Sequence, residues 1–160
     1  MSIKNPVIAI TGSSGAGTTS VTRAFQHIFR REKLNAAIIE GDSFHRYDRA
    51  EMRATMAERS LAGDNHFSHF GPEANLLSEL EELFRQYGET GRGRCRHYVH
   101  DDAEAKSYGS PPGTFTEWVD LPSDTDLLFY EGLHGAVKTD TINIARHVDL
   151  CIGVVPIINL

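Results

Sequence analysis

The sequence predicts an α/β fold, in which a mostly parallel sheet is flanked by helices. Three short apolar runs of strand length begin at Val7, Ala36 and Leu127, and helix-compatible sequence follows the first two. Each run is followed directly by glycine or acidic residues. Because ligands of such sheets bind beyond the carboxyl ends of the strands, the same pattern predicts a site at that edge.

Composition and charge limit the classes of function. The chain has 160 residues, of which 40% are hydrophobic, and this is enough to bury one core and predicts a single domain over 1–160. A net charge of −6 disfavours general binding to nucleic acid or to an anionic membrane. The sequence has neither a signal-peptide pattern nor an apolar run long enough to span a bilayer, so we expect a cytoplasmic protein. Cys95 and Cys151 lie far apart and predict neither a disulfide nor a zinc site.

The remaining elements follow from apolar spacing. The first apolar run predicts a buried strand, and apolar residues at helical spacing after it predict a helix over about 18–31. The other predicted elements are a strand at 36–39, a helix at 49–62, a helix introduced by Pro72, a strand-like piece at 95–100, and strands at 127–130 and 149–156. The chain stops directly after the last apolar run, so we expect an N-terminal fragment whose sheet is incomplete at the C-terminal side.

The segment at about 88–120 is rich in glycine, proline and charged residues. Such a segment is typical of a lid or a substrate-facing insertion that excludes water from a site. A solvated excursion fits the composition equally well.

The glycine-rich turn after the first strand is typical of a phosphate-binding loop. Its pattern is GxxxxG followed by two threonines, and glycines let the backbone wrap an anion while the loop N–H groups point at it. The lysine of the common form GxxxxGK[ST] is missing, whereas Thr19 keeps the hydroxyl that binds Mg²⁺. The predicted nucleotide-binding residues are Gly12, Ser13, Ser14, Gly15, Ala16, Gly17, Thr18, Thr19 and Ser20.

Charged residues follow the next two predicted strands. After the second strand, Asp42 offers a general base, and His45 and Arg49 offer groups that can bind phosphate, although a solvated turn is the alternative. After the third strand, Glu131 is the candidate Walker B acid that would hold Mg²⁺ with Thr19. Histidines at 66 and 69 could bind a metal, but no carboxylate or cysteine completes a ligand set, so packing or a substrate contact is favoured.

Four stretches, ITGSSGAGTT, EGDSFHR with Arg49, RQYGETGRGRCRHYVHDDAEA and LLFYEGLHGA, together resemble phosphoribulokinases of the bacterial type over nearly the whole chain. The threonine in place of the loop lysine is shared with that type. The resemblance implies transfer of the γ-phosphate of ATP, with Mg²⁺, to ribulose 5-phosphate in the Calvin cycle. It also implies a homo-oligomer activated by NADH and inhibited by AMP, without thioredoxin control because Ala16 replaces the loop cysteine of plant-type enzymes.

The resemblance also implies roles for individual residues. Asp42 matches the catalytic base, and His45 and Arg49 match contacts to the sugar phosphate. Glu131 matches the metal-coordinating acid. The positions that lie in segments associated with substrate or effector binding are Tyr98, His100 and His134.

Two other functions remain open from the sequence. A uridine kinase is similar in the loop and in the acidic segment after it, but the cationic pair His45 and Arg49 favours a phosphorylated sugar over a nucleoside. The second alternative is a nucleotide-binding module that catalyses no reaction.

Overall fold

A computed structural model describes residues 4–13 and 15–156 of the chain. The described strands are β1 Val7–Gly12, β2 Ala36–Glu40, β3 Arg94–Cys95, β4 Val119–Asp120, β5 Leu127–Gly132 and β6 Leu150–Val154. The described α-helices are α1 Thr18–Glu32, α2 Arg49–Leu61, α3 Leu77–Thr90 and α4 Asp102–Tyr108. Short 3₁₀ turns lie at Gly41–Phe44, Pro72–Ala74 and Ile144–His147.

Four strands form one parallel sheet in the order β2-β5-β1-β6. Ile10 of β1 is in register with Glu131 of β5, which is in register with Glu40 of β2. The carboxyl ends of the three strands therefore meet at one edge. The glycine-rich loop and the Asp42 turn follow β1 and β2, and Glu131 lies near the end of β5, so these predicted site residues lie at the same edge.

The sheet is covered on both faces, as parallel sheets require. On one face, Phe29 of α1 packs against Phe129 of β5, with ring centroids 5.3 Å apart and nearly perpendicular rings. On the other face, Phe84 of α3 packs against Tyr130 at 5.4 Å. Alternate side chains of β5 thus enter opposite halves of the core, and the sheet is held rigidly behind the site.

The predicted strands and first two helices are confirmed to within two residues, but the order of the strands was not predicted. β5 lies between β1 and β2, so the first βαβ unit spans a gap that a later strand fills. The prediction for the helix after Pro72 needs a correction. Pro72 begins a 3₁₀ turn, and α3 starts only at Leu77, because the backbone N–H of Leu76 is bonded to the carbonyl of Phe44.

The segment at about 88–120 contains more structure than its composition indicates. The strand-like piece at 95–100 is only partly right, since β3 pairs with β4 over two residues and Tyr98 forms an isolated bridge with Phe115. Helix α4 was missed because none of its residues is buried, so it shows no apolar stripe. A lid function for this segment stays a prediction. Within the described residues, no helix is both long and apolar enough to cross a bilayer.

Candidate functional site

A cleft of about 500 Å³ lies at the carboxyl ends of β1, β2 and β5. Its lining is dominated by the loop backbone, by carboxylates and by histidines. The lining residues are Gly12, Ser13, Gly15, Thr18, Thr19, Glu40, Gly41, Asp42, His45, His69, Phe70, His100, Glu131, Gly132, Leu133 and His134. No lysine or arginine is among these described residues, so within this lining a positive charge can come only from histidines.

The loop has the geometry of a phosphate cradle. Gly17 caps α1 in a left-handed conformation with φ of 101°, which a residue with a side chain rarely adopts. A Cβ on Gly12 would lie 2.7 Å from the carbonyl oxygen of Val154 and 2.9 Å from Cγ2 of Thr18, so only glycine fits there. Of the other predicted loop residues, Ala16, Gly17 and Ser20 lie in the same turn or helix but do not line the cleft. Ser14 lies outside the described residues.

Thr19 and Glu131 both line the cleft and fit a magnesium site by their chemistry. A hydroxyl and a carboxylate are the hard oxygen ligands that Mg²⁺ prefers. Within the described residues, neither side chain has a hydrogen-bond partner, so both oxygens are available to a ligand. No group of three His, Cys, Asp or Glu side chains comes together to hold a metal in the described part of the chain. Proteins commonly bind Mg²⁺ through one or two carboxylates together with substrate phosphates.

Asp42 lies at the centre of the hydrogen bonds on the other side of the cleft. Its Oδ1 is 3.2 Å from Nε2 of His45, and its Oδ2 is 3.1 Å from Nε2 of His100. The hydrogen bond from His45, opposed by burial and supported by His100, lowers the pKa of Asp42 to about 2. The carboxylate is therefore ionised at neutral pH, as a group that accepts a proton must be.

Each of the two histidines has a second partner. Nδ1 of His45 lies 2.9 Å from Oδ1 of Asn75, and Nδ1 of His100 lies 3.1 Å from Oε2 of Glu104. Burial lowers the pKa of both histidines, but the hydrogen bonds to Asp42 and to these second partners raise the pKa overall. The site thus favours the charged imidazolium forms beside the carboxylate.

Arg49 and Tyr98 line a second cavity of about 310 Å³ that shares His45 and His69 with the cleft. Nη2 of Arg49 donates a 2.9 Å hydrogen bond to the carbonyl oxygen of His100. The predicted substrate residues therefore divide into two groups. His45, His100 and His134 face the cleft, and Arg49 and Tyr98 lie in the cavity beside it.

His134 lines the cleft, but its ring is already engaged. The side chain is buried, and Nε2 lies 3.0 Å from the carbonyl oxygen of Phe70. Burial lowers the pKa of His134, so the neutral ring donates this hydrogen bond. This hydrogen bond connects the turn at 66–71 to the end of β5.

Arg96 ties the segment at 94–118 to the Asp42 turn. Nε donates a 3.0 Å hydrogen bond to the carbonyl oxygen of Ser43, and Nη2 donates a 2.6 Å hydrogen bond to that of His45. The guanidinium carbon lies 3.6 Å from the ring centroid of Phe115 and 5.0 Å from that of Trp118. The cation is thus used to hold the backbone around Asp42 and does not reach into the cleft.

Several residues of this site were not predicted from the sequence. Glu40 had a signal, because it follows the second apolar run of the sequence as Glu131 follows the third. The two residues are in register at the ends of β2 and β5, and burial raises the pKa of the Glu40 carboxyl group. Asn75 and Glu104 had no such signal, because each contacts a histidine whose place beside Asp42 depends on the fold. Arg96 belongs to a basic cluster at 92–96, but its partners Ser43 and His45 lie 53 and 51 residues away in the sequence. Their roles follow only from the folded chain.

The described geometry can be compared with that of known proteins. A family model described as "Phosphoribulokinase / Uridine kinase family" matches residues 7–160. The chain belongs to this family. It is 68% identical over 157 residues to a phosphoribulokinase of Nitrobacter vulgaris, with 98% of this chain and 54% of the relative covered. It is 64% identical to the chromosomal phosphoribulokinase of Cupriavidus necator, with 100% of this chain and 55% of the relative covered.

Solved structures of the family agree with the fold. A phosphoribulokinase from Rhodobacter spheroides superposes with a TM-score of 0.86 at 55% identity, covering 96% of this chain and 52% of that chain. A possible uridine kinase from Bacillus stearothermophilus has a TM-score of 0.65 at 15% identity, with 96% and 72% covered, and shares the fold alone. The chain spans about half the length of the curated relatives that it matches.

Proposed function

We propose that this chain forms the nucleotide-binding part of a phosphoribulokinase, which transfers the γ-phosphate of ATP to ribulose 5-phosphate. The observation that carries the proposal is Asp42, an ionised carboxylate held between two histidines in the same cleft as a phosphate loop. The names of the relatives at 68% and 64% identity supply the substrate. Ribulose 1,5-bisphosphate would be the product, which places the reaction in carbon fixation.

In this mechanism the loop amides and the N-terminus of α1 hold the ATP phosphates. Thr19 and Glu131 would hold Mg²⁺, which neutralises charge on the transferring phosphoryl group. Asp42 orients the sugar hydroxyl in line with the phosphorus and accepts its proton. Catalysis rests on positioning and charge neutralisation, because phosphoryl transfer requires little covalent chemistry from the protein.

The acceptor's own phosphate would bind in the second cavity, where Arg49 and His45 meet. A guanidinium binds phosphate strongly and with defined geometry, and His45 bridges this cavity and the cleft. Tyr98 and His100 would contact the sugar between them. The resemblance further implies cytoplasmic location, assembly into a homo-oligomer and activation by NADH, and these properties stay predictions.

The proposal is tested by a coupled assay of ADP release with three acceptor conditions: ribulose 5-phosphate, uridine and none. Two proteins are compared, namely the chain itself and a chimaera in which the remaining part of the Nitrobacter vulgaris relative follows residue 160. We expect turnover by the chimaera with ribulose 5-phosphate only. We expect the chain alone to be slower by about 10³–10⁵, the usual value of a supplied arginine, because no lysine or arginine is among the described residues that line the cleft.

Each other outcome contradicts a defined part of the proposal. Turnover of the chimaera with uridine would indicate a nucleoside kinase. Binding of MgATP without turnover of any acceptor would indicate a module that is not an enzyme. Equal rates from the two proteins would show that the cations within residues 1–160 are sufficient.

A further inference from the structure

We propose that Asn75 and Glu104 are positioning residues that hold His45 and His100 as paired hydrogen-bond donors to Asp42. The inference rests on the proposed function for its catalytic meaning, but its structural content is independent of the substrate. Neither residue touches Asp42. In each histidine, Nε2 is the inner nitrogen, which faces the Asp42 carboxylate, and Nδ1 is the outer nitrogen. Asn75 contacts the outer nitrogen of His45, and Glu104 contacts that of His100.

The orientation of Asn75 is fixed by its other contacts. The side chain is buried, with 1% exposure, and its Nδ2 donates to the carbonyl oxygens of His69 at 2.8 Å and Gly71 at 2.7 Å. Carbonyl oxygens only accept hydrogen bonds, so the amide cannot be turned over. Its Oδ1 must therefore face Nδ1 of His45 as an acceptor, and Nδ1 of His45 must carry a proton.

Glu104 imposes the same condition on His100 by charge. Its Oε2 accepts from the backbone N–H of His100 at 2.7 Å and lies 3.1 Å from Nδ1 of the same residue. An ionised carboxylate only accepts hydrogen bonds, so Nδ1 of His100 must also carry a proton. The outer nitrogen of each histidine is thus a donor.

The inner nitrogens complete the inference. Nε2 of His45 and Nε2 of His100 face the two different oxygens of an ionised Asp42, so each must donate as well. A histidine that donates from both nitrogens is an imidazolium. Two cations therefore hold the carboxylate from both sides and fix its plane, which leaves the remaining lone pairs of Asp42 for the hydroxyl of the acceptor.

Other ionisable groups around the two rings either favour or disfavour the charged form of the histidines. His100 is also attracted by Glu40 of β2, whereas His45 and His100 repel each other. The charge on His45 also helps to keep His134 neutral. Asn75 is neutral and buried, so it orients His45 without adding charge. Glu104 is charged and 39% exposed on α4, so it sets the charge of His100 as well as its orientation.

The test is an NMR titration of the histidine side chains in the chain without ligand. Glu104→Gln keeps an acceptor oxygen but removes the charge, so we expect the titration midpoint of His100 to fall by about one pH unit, the lower end for loss of a close opposite charge. Asp102→Asn is the matched control, because it removes an exposed carboxylate from the same helix turn. It should leave the His100 midpoint unchanged. An unchanged midpoint in a folded Glu104→Gln variant, or an equal shift in the control, would overturn the role of Glu104.

The role of Asn75 is read from nitrogen chemical shifts in the unaltered chain. At pH 6 both ring nitrogens of His45 should be protonated, and a neutral ring with a bare Nδ1 would overturn the inference without any substitution. In Asn75→Ala, His45 should lose its fixed ring orientation, whereas Asn65→Ala, at an exposed amide, should not affect it. Because no substrate is present, these results stand or fall separately from the identity of the acceptor.

Discussion

The two sides of the cleft are built in different ways. The nucleotide side consists of loop backbone together with Thr19 and Glu131, whose side chains have no hydrogen-bond partner among the described residues. On the acceptor side, His45 and His100 each contact Asp42 and a second polar side chain. One side is open to ligand oxygens, and the other is already organised by the protein.

This difference indicates how each side acquires its geometry. The turn of the loop is determined mainly by local residues, since Gly15 and Gly17 adopt the left-handed conformation that the turn requires. The acceptor side depends on contacts between distant parts of the chain, since His45 and Asn75 are 30 residues apart and His100 and Asp42 are 58 apart. Changes on the acceptor side should therefore affect catalysis and folding with little effect on nucleotide binding. Changes in the loop should weaken nucleotide binding and leave the contacts of the acceptor side intact.

The largest expected effect is that of Asp42→Asn, measured as turnover in the chimaera. The amide keeps the size of the side chain but cannot accept the proton of the hydroxyl, so turnover should fall by about 10²–10⁴. MgATP binding, measured by calorimetry, should be unchanged. A variant with near-normal turnover would show that another group is the base, and loss of MgATP affinity would show that the two sides are not separate.

In the loop, Gly12→Ala should weaken nucleotide binding and leave the acceptor side unchanged. The added Cβ would lie 2.7 Å from the carbonyl oxygen of Val154, and overpacking of this size costs about 1–3 kcal/mol. MgATP should bind about tenfold more weakly or worse, while the histidine titrations of the acceptor side stay unchanged. Gly153→Ala is the matched control, because a Cβ there has no heavy atom within 4 Å. Equal effects from the two variants would argue against steric fit at Gly12.

The proposed metal ligands are tested by Glu131→Gln, which is nearly isosteric. The Mg²⁺ concentration for half-maximal MgATP binding should rise by about tenfold or more, because even loss of an indirect metal partner typically costs 10–100-fold. The melting temperature should be unchanged. If the magnesium titration does not move, another acid holds the metal, and Glu40 is the first candidate to examine.

Arg96→Ala should destabilise the acceptor side. The change removes hydrogen bonds to the carbonyl oxygens of Ser43 and His45, and the free energy of unfolding should fall by about 1.5–3 kcal/mol, the range for a hydrogen bond to a charged group. The exposed Arg92→Ala is the control and should have little effect. Denaturant unfolding measures both, and similar curves for the two variants would contradict the role given to Arg96.

The smallest expected effect is the dependence of stability on pH. The pKa of Asp42 is lowered to about 2, so its contribution is complete above its ordinary pKa of about 4 and is lost as the pH falls toward 2. The pKa values of His45 and His100 are raised, so their contributions are complete below about pH 6.5 and are lost as the pH rises through the raised values. The melting temperature should thus be highest between about pH 4 and 6.5.

Asp42→Asn should flatten both limbs of this profile, because it removes the group that all three shifts share. The change should be modest, since the Asp42 side chain is 53% exposed and solvent screens its interactions. A profile that is unchanged in the variant would show that the acid and alkaline limbs arise elsewhere.

The difference between local patterns and long-range contacts also explains what could be predicted from the sequence. The strands at Val7 and Leu127 and the helix after the loop follow local apolar patterns, and the structure confirms them. The position of β5 between β1 and β2 is not encoded in any local pattern, because strand order depends on long-range packing. For the site, Asp42 and Glu131 were found at strand ends, and both line the cleft. Asn75 and Glu104 were not found, because their role exists only through His45 and His100.

The aromatic contacts of Arg96 have a spectroscopic consequence. Trp118 is the only tryptophan in the chain, and its ring lies 5.7 Å from that of Phe44, which ends the Asp42 turn. A guanidinium that also bonds the backbone of this turn lies 5.0 Å from the same indole. Fluorescence excited at the long-wavelength edge of tryptophan absorption therefore originates from Trp118, beside the acceptor side of the cleft. The fluorescence of Trp118 should therefore change when a ligand binds on the acceptor side, and it should stay unchanged when a ligand binds only at the loop.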